Sequence, residues 1–205
     1  MPVRNLLSRG CLWSLLGLVL LTSRPASAQK GYPAGELFGG YSLYSLAGED
    51  VLKRQSAHGF GASVAGNFHK SIGFVADFSG NYGRMDETLS VLGLAARANL
   101  DYSIHTVLFG PRFSYRTDKA TAFFHALVGM AHARTGTGSV TVLGRTAAIP
   151  AMTDTALGWG FGGGVDASVN KRIAVRVLQV DWTPTGTAFE RSFRLQSGLV
   201  VKFGG

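Results

Sequence analysis

Large apolar residues alternate with glycine and small polar residues along most of this chain. In one segment, Leu157, Trp159 and Phe161 occupy alternate positions, and the positions between them are glycine. Successive residues of a β-strand point to opposite faces of a sheet, so this alternation predicts strands. Eight such segments are predicted, at 36–46, 57–69, 71–82, 100–115, 120–134, 155–169, 172–182 and 192–203. Helical periodicity is poor, and its one short candidate is Thr88 to Ala98.

The composition of the two faces indicates which one points outward. Only 16% of the residues are charged, against about 25% in ordinary globular chains. A water-soluble barrel would place Lys and Glu at many outward positions, whereas the polar face here is mostly Gly, Ser and Asn. That face suits a crowded interior, so the apolar face is predicted to contact lipid. Backbone groups in lipid must all be paired, and the sheet must therefore close on itself.

The lengths of the connections support a closed barrel with two different ends. Short links at 70, 116–119 and 170–171 alternate with long links at 47–56, 83–99, 135–154 and 183–191. Outer-membrane barrels have short periplasmic turns, longer outer loops and an even number of strands. The sequence therefore predicts an all-β fold, an eight-stranded antiparallel up-and-down transmembrane β-barrel.

The first 28 residues have the features of a secretory signal peptide. Arg4 and Arg9 precede an apolar run from Cys11 to Leu21, and a small-residue site follows at Ala26-Ser27-Ala28. The apolar run is too short for a membrane-spanning helix, which needs about 20 residues. We expect export, cleavage after residue 28, and a barrel domain at 29–205.

Several short motifs resemble those of a known family. They are Gly39-Gly40-Tyr41, Phe109-Gly110-Pro111-Arg112, Gly162-Gly163-Gly164-Val165-Asp166, Arg176 with Gln179-Val180-Asp181-Trp182, and the closing Gly198-Leu199-Val200-Val201-Lys202-Phe203. On these segments the chain resembles the bacterial outer-membrane β-barrel domain family, with small barrels of the OmpA/OmpX type. The resemblance implies a location in the bacterial outer membrane and assigns no activity. Such chains often end on an aromatic residue, whereas this one continues with Gly204-Gly205.

Charged residues within the predicted strands are expected to point inward and to pair with one another. An arginine at the middle of a lipid-facing strand costs about 2–4 kcal/mol, and buried charges need partners. The predicted interior polar cluster comprises Glu36, Asp77, Arg112, His125, Asp166, Arg176, Asp181 and Arg194. Arg176 stands at an even position and Asp181 at an odd one, so on a regular strand they would face opposite sides of the sheet. A β-bulge between them is expected, because it would let both point inward. Pro111 beside Gly110 suggests a second bulge.

Aromatic residues on the opposite face are expected to contact lipid. The predicted lipid-facing aromatics are Phe68, Phe74, Phe78, Trp159, Phe161, Phe193 and Phe203. Aromatic residues near the strand ends, including Tyr44 and Tyr102, are expected to form two interfacial girdles.

No motif points to catalysis or to a cofactor. Gly158 to Gly163 satisfies G-x-G-x-x-G, but the segment continues as a strand and opens no helix, so dinucleotide binding is not expected. The five histidines show no metal-ligand spacing on a helix, and His125 and His132 should face opposite ways. There is no G-x-S-x-G elbow. We therefore predict no catalytic residue, no metal and no cofactor.

The leading functional hypothesis is a non-enzymatic structural or surface-interaction protein with a filled, salt-bridged interior. An eight-stranded barrel is just wide enough for side chains to fill. The expected partners are outer-membrane lipid, the barrel-assembly machinery and an extracellular partner that contacts the four long loops. Export and the absence of a basic cluster argue against nucleic acid. The alternatives are a narrow channel for small solutes, a lipid-modifying enzyme and a soluble lipocalin-like barrel.

Overall fold

The computed structural model describes residues 31–46, 55–91, 94–143, 145–183 and 192–205, with the backbone alone at 46, 87–91 and 94–98. The strands in these ranges are β1 (Gly35–Leu46), β2 (Gln55–Asn67), β3 (Ile72–Val91), β4 (Leu94–Arg116), β5 (Ala120–Thr135), β6 (Gly138–Val142), β7 (Arg145–Ile149), β8 (Met152–Ser168), β9 (Ile173–Trp182) and β10 (Phe193–Phe203). The predicted signal peptide at 1–28 and most of the loops at 47–56 and 183–191 lie outside the described residues. Within them, no helix is long and apolar enough to cross a membrane.

Eight of the strands form the closed antiparallel barrel that the alternation predicts. Their order around the wall is β3-β2-β1-β10-β9-β8-β5-β4, and β3 pairs with β4 to close the ring. Stepping through paired residues from Gly35 once around the wall returns to β1 at Ser45, ten residues further along. This stagger tilts the strands and fixes a narrow interior that side chains can fill.

The segments at 83–99 and 135–154 contain more strand than the sequence predicts. β3 and β4 continue beyond the barrel and remain paired as far as Val91 and Leu94, so the described residues of the predicted link at 83–99 are strand, as are those of the weak helix candidate at Thr88 to Ala98. β6 and β7 form a hairpin whose first strand pairs with β4 between Ala96 and Asn99. Pairing with a neighbouring strand overrides the weak local preference of such short segments.

Of the two expected β-bulges, only the one in β9 is present. The pairing of β9 shifts by one residue against both β8 and β10, at Val177 and Leu178. These two consecutive side chains are both exposed, at 58% and 47%, and the extra residue allows Arg176 and Asp181 to share the inner face.

The bulge expected at Gly110 and Pro111 is wrong. The pairing of β4 with β3 runs through both residues without a shift. The register with β5 is the same on either side, at Phe109 and at Arg112. A side chain at position 110 would collide with the carbonyl oxygen of Ala126. The glycine is therefore explained by a close backbone approach.

Candidate functional site

The interior of the barrel is polar and its outer wall is apolar. All eight residues of the predicted interior cluster are buried, and each has no more than 3% of its surface exposed. The seven aromatic residues predicted for the opposite face are exposed by between 37% and 65%. The arrangement of polar and apolar residues is thus the reverse of that in a water-soluble barrel.

One group of ionic contacts lies toward the end of the barrel with the short turns. We call it the turn-end cluster; it consists of Glu36, Arg112, Arg116, Asp166 and Arg176. Arg112 places Nη1 2.7 Å from Glu36 Oε2 and Nη2 3.4 Å from Asp166 Oδ2. Arg176 donates Nε to Asp166 Oδ1 at 2.8 Å, and Arg116 donates Nη2 to Glu36 Oε1 at 2.7 Å. The two carboxylates thereby join residues of β1, β4, β8 and β9 across the interior.

Two guanidinium groups of the turn-end cluster lie against one aromatic ring. The Cζ atom of Arg112 is 4.1 Å from the centroid of Phe123, and that of Arg176 is 4.5 Å from the same centroid. Arg176 also lies 4.1 Å from the ring centroid of Phe38. A cation over an aromatic face is stabilised by the quadrupole of the ring, most strongly where water is excluded.

A second group of ionic contacts lies nearer the long-loop end. We call it the loop-end cluster; it consists of Asp77, His125, Asp181 and Arg194. Arg194 places Nη2 2.7 Å from Asp181 Oδ2 and Nη1 2.6 Å from Asp77 Oδ1. His125 Nε2 lies 2.8 Å from Asp181 Oδ1. Arg194 also donates Nη1 to the hydroxyl oxygen of Ser79 at 3.1 Å.

Gln179 connects the two clusters into one network. Its Oε1 accepts a hydrogen bond from Arg176 Nη1 at 2.7 Å, and its Nε2 donates to Asp181 Oδ2 at 2.7 Å. Across both clusters the four arginines match the four carboxylates, so the network is neutral when His125 carries no charge. Compensation of this kind is what permits charges to be buried.

Several members of this network are not predicted from the sequence. Arg116 lies just beyond the predicted end of its strand, although it shares the parity of Arg112. Gln179 carries no charge, and its inward orientation depends on the bulge in β9. Neutral residues such as Ser79 and Thr106, which hydrogen bond to each other at 2.8 Å, give no charge signal. Of these residues, only Arg116 can be predicted from the alternation of the two faces, because it lies on the same face of β4 as Arg112.

A few buried polar atoms in the interior have no hydrogen-bond partner among the described residues. They include the hydroxyl of Ser42, Oδ1 of Asn81 and both amide atoms of Gln196. Ser42 and Gln196 are directly paired across β1 and β10. Unpaired buried polar atoms are normally satisfied by internal water.

Two tyrosines expected in the outer girdle point inward instead. Tyr44 is completely buried, and its hydroxyl donates to the carbonyl oxygen of Thr183 at 2.9 Å. Tyr102 packs against the small apolar cluster formed by Tyr44, Ala57 and Ile104. Tyr44 shares its parity with Glu36 on β1, so strand parity decides its orientation and proximity to the strand end does not.

Three histidines lie on the outer wall toward the long-loop end. His58 forms a hydrogen bond with the hydroxyl of Tyr41, and His105 Nε2 lies 3.1 Å from the hydroxyl of Tyr82. His132 is exposed while His125 is buried, in agreement with their opposite parity. Among the described residues, no group of three His, Cys, Asp or Glu side chains could hold a metal ion.

An exposed ion pair lies further toward the long-loop end than these histidines, where β3 and β4 leave the barrel. Arg84 donates Nε to Asp101 Oδ1 at 2.7 Å. This hydrogen bond holds the pKa of Asp101 below its usual range and raises that of Arg84.

Comparison with known proteins identifies the family. A family model described as the outer membrane protein beta-barrel domain matches residues 14–187. The chain belongs to this outer membrane protein β-barrel family. Its members are proteins of the bacterial outer membrane. Comparison with curated protein sequences finds no match.

Solved structures similar to this outer membrane barrel share its fold at low sequence identity. Ail, the attachment invasion locus protein of Yersinia pestis, is 16% identical with a TM-score of 0.55, over 84% of this chain and 99% of Ail. Neisserial surface protein A is 14% identical with a TM-score of 0.51, over 85% and 100%. OprG from Pseudomonas aeruginosa is 12% identical with a TM-score of 0.52, over 84% and 97%. At these identities the likeness supports the fold alone.

Membership of the outer membrane family explains why the polar face of this barrel points inward. In lipid the outer face must be apolar. The G-x-G-x-x-G segment at 158–163 lies within β8 and forms part of this wall. Gly162 lies so close to Asp181 that a side chain there would collide with the carboxylate. Glycine at this position makes room for an interior charge.

Proposed function

We propose that this outer membrane barrel is exported with cleavage after residue 28 and acts as a structural or surface-interaction protein with a filled interior. The observation that carries the proposal is the neutral network of four arginines and four carboxylates, which spans the interior from the turn-end to the loop-end cluster. Side chains held by several ionic contacts at once leave little room for a solute to pass. The proposed role is non-enzymatic.

The outer wall supports lipid as the first partner. Exposed aromatic and aliphatic side chains cover it between the two ends, among them Phe74, Trp159 and Leu199. In water these side chains would form an apolar surface far larger than monomeric proteins usually expose. A wall of this kind must be inserted by the barrel-assembly machinery, which we propose as the second partner.

The long-loop end supports an extracellular partner. The proposed contact surface comprises the segments 47–56, 83–99, 135–154 and 183–191. In two of these segments the chain forms ordered strands beyond the barrel, in the extended β3 and β4 and in the hairpin of β6 and β7. Binding residues are often carried by loops that a rigid scaffold positions.

Conductance in a planar lipid bilayer tests the filled interior. The folded protein is expected to produce no stable channel currents, and Arg172→Gln, in an exposed turn, serves as a control that should also be silent. A narrow channel is the second candidate, favoured by the unpaired interior atoms of Ser42, Asn81 and Gln196. Stable currents from the unaltered protein would reject the filled interior in favour of the channel.

Removal of the hairpin at 138–149 tests the surface role. The hairpin pairs only with β4, at Ala96 to Asn99, and with none of the other described barrel strands. The shortened protein should still fold and retain the gel mobility of an unboiled barrel. A sulfated polysaccharide is a suitable first probe, since one solved structure of Ail is a complex with a heparin analogue. If the protein still binds the polysaccharide after each long loop has been removed in turn, the proposal is contradicted.

A further inference from the structure

The charges of this chain are distributed unequally between the two ends of the barrel. In the interior network, four arginines match four carboxylates. The long-loop segments 47–56, 84–101, 134–154 and 183–191 together contain seven Lys or Arg residues and seven Asp or Glu residues, so they carry no net charge either. Beyond residue 30, the net positive charge of the chain therefore lies at the end with the short turns.

The charged residues at that end come from four places around the ring. We call the surface they form the turn-tip surface; it consists of Lys70, Asp118, Lys119, Lys171, Arg172 and Lys202. The three short turns, β2 to β3, β4 to β5 and β8 to β9, carry all of them except Lys202, which lies on β10. These positions are dispersed in sequence, and closure of the sheet brings them to one face of the barrel.

The lysines of the three turns have no ionic partner among the described residues. Lys70, Lys119 and Lys171 are all exposed, and none of them forms an ion pair there. Asp118 is the one carboxylate side chain of the turn-tip surface. A lysine is a flexible point charge, whereas the planar fork of arginine matches phosphate, so a surface built mainly from lysines suits carboxylates.

The turns hold these cations close to the end of the wall. His69 and Ile72 hydrogen bond to each other through their backbones across the first turn. In the third turn, Oδ1 of Asn170 accepts hydrogen bonds from the N–H groups of Arg172 and Ile173, both at 2.8 Å. Turns this short cannot extend far from the membrane, so a partner must approach the barrel. This favours a soluble protein over the cell wall, which lies at a distance from the membrane.

Aromatic side chains lie on the outer wall just before the turns. Phe68 is 65% exposed and lies two residues from Lys70, and Tyr115 is 74% exposed and lies four residues from Lys119. Exposed aromatic residues mark the membrane–water interface. The turn tips lie beyond this level, where the short turns of an outer-membrane barrel face the periplasm.

We propose that the turn-tip surface docks an acidic, extended segment of a soluble periplasmic protein, with Lys70, Lys119 and Lys171 as the principal contacts. An extended chain rises about 3.3 Å per residue, so a short acidic segment brings several carboxylates within reach of more than one turn. Binding at several turns at once strengthens contacts that are individually weak. The inference goes beyond the surface role at the long-loop end, because the two ends face different compartments.

Fluorescence anisotropy with the purified protein, folded in a non-ionic detergent, tests the proposal. The probes are a labelled oligoglutamate peptide and an oligoglutamine peptide of the same length. Oligoglutamate alone should bind, and salt should weaken its binding. The double variant Lys119→Gln with Lys171→Gln should weaken binding about tenfold. The matched control is Arg134→Gln with Arg145→Gln, which removes the same charge from exposed residues at the long-loop end and should have little effect.

The control separates a local surface from general attraction by a cationic protein. Equal weakening by the two double variants would overturn the proposal, because binding would then depend on net charge alone. Failure of oligoglutamate to bind, or equal binding of oligoglutamine, would overturn it too. The gel mobility of the unboiled protein reports separately whether each variant has folded. Failure of the surface role would not change the result, since the assay contains no extracellular partner.

Two further measurements test other occupants of the turn-tip surface. In nanodiscs, oligoglutamate should bind with zwitterionic and with anionic phospholipid; loss of binding in the anionic discs would show that lipid headgroups occupy the lysines, against the proposal. Isolated cell walls should sediment the unaltered protein and the Lys119→Gln, Lys171→Gln variant equally. Weaker sedimentation of the variant would assign the surface to the cell wall instead.

Discussion

Arg194 and Asp181 face each other directly across β10 and β9, with Nη2 of the arginine 2.7 Å from Oδ2 of the carboxylate and both side chains fully buried. Arg194 also compensates Asp77 on the far side of the barrel, so that one cation neutralises two carboxylates from different strands. Its loss would leave both without a strong cationic partner.

Replacement of Arg194 by methionine should therefore destabilise the barrel strongly. Breaking a buried ion pair by removal of one partner typically costs about 3–5 kcal/mol, because the other charge remains buried. Urea unfolding in lipid vesicles, followed by tryptophan fluorescence, measures the free energy of unfolding. The double variant Arg194→Met with Asp181→Asn should recover part of the loss. An Arg194→Met barrel as stable as the unaltered one would show that the loop-end cluster contributes nothing.

Phe123 should contribute more to stability than its neighbour on the same strand. Phe123→Leu removes the ring that contacts both Arg112 and Arg176, and two buried cation–π contacts together should be worth about 1–3 kcal/mol. Phe124→Leu exchanges one exposed apolar side chain for another on the outer wall and should have little effect. The same unfolding measurement compares the two. Equal effects would indicate that the stacking of guanidinium groups on Phe123 is energetically unimportant.

Gly162 should tolerate no side chain. In Gly162→Ala the new methyl group would collide with Asp181 Oδ1, the atom that lies 2.8 Å from His125. Overpacking in a filled interior typically costs about 1–3 kcal/mol. Gly39→Ala is the matched control, because nothing lies within 4 Å of a side chain built there. A loss in Gly39→Ala as large as that in Gly162→Ala would point to general strand effects.

The exposed pair of Arg84 and Asp101 predicts a specific titration behaviour. The hydrogen bond from Arg84 lowers the pKa of Asp101. A carboxyl group with a lowered pKa stabilises the folded state above its unfolded pKa, and this contribution is lost as the pH falls through the folded value. Carboxyl ¹³C NMR should show that Arg84→Gln returns the pKa of Asp101 toward 3.8. An unchanged pKa would mean that the pair is not formed in solution.

Strand parity was sufficient to predict the barrel and to place Glu36, Asp77 and Arg194 on its inner face, because a closed wall in lipid allows each charge only one favourable side. It also indicated the bulge between Arg176 and Asp181, since both charges could share the interior only if the register shifted. Parity does not specify which strands lie opposite one another. The partners across the interior, such as Glu36 with Arg112 at a sequence separation of 76 residues, depend on the stagger of the closed sheet.

The sequence predicts a loop where the hairpin of β6 and β7 lies, because each of its strands has only five residues. A segment of that length has no alternation strong enough to be recognised. Its conformation depends on the pairing of β6 with the extension of β4.

The pairing of β1 with β10 places the seam of the wall between the first and last strands, and Arg194 lies on the strand that completes it. Until β10 docks, Asp77 and Asp181 have no guanidinium partner, and the facing edges of β1 and β9 have no neighbour. Charge compensation of Asp77 and Asp181 and closure of the ring therefore depend on the same strand. An assembly intermediate that lacks only its last strand would carry excess negative charge inside, which disfavours its transfer into lipid before the chain is complete.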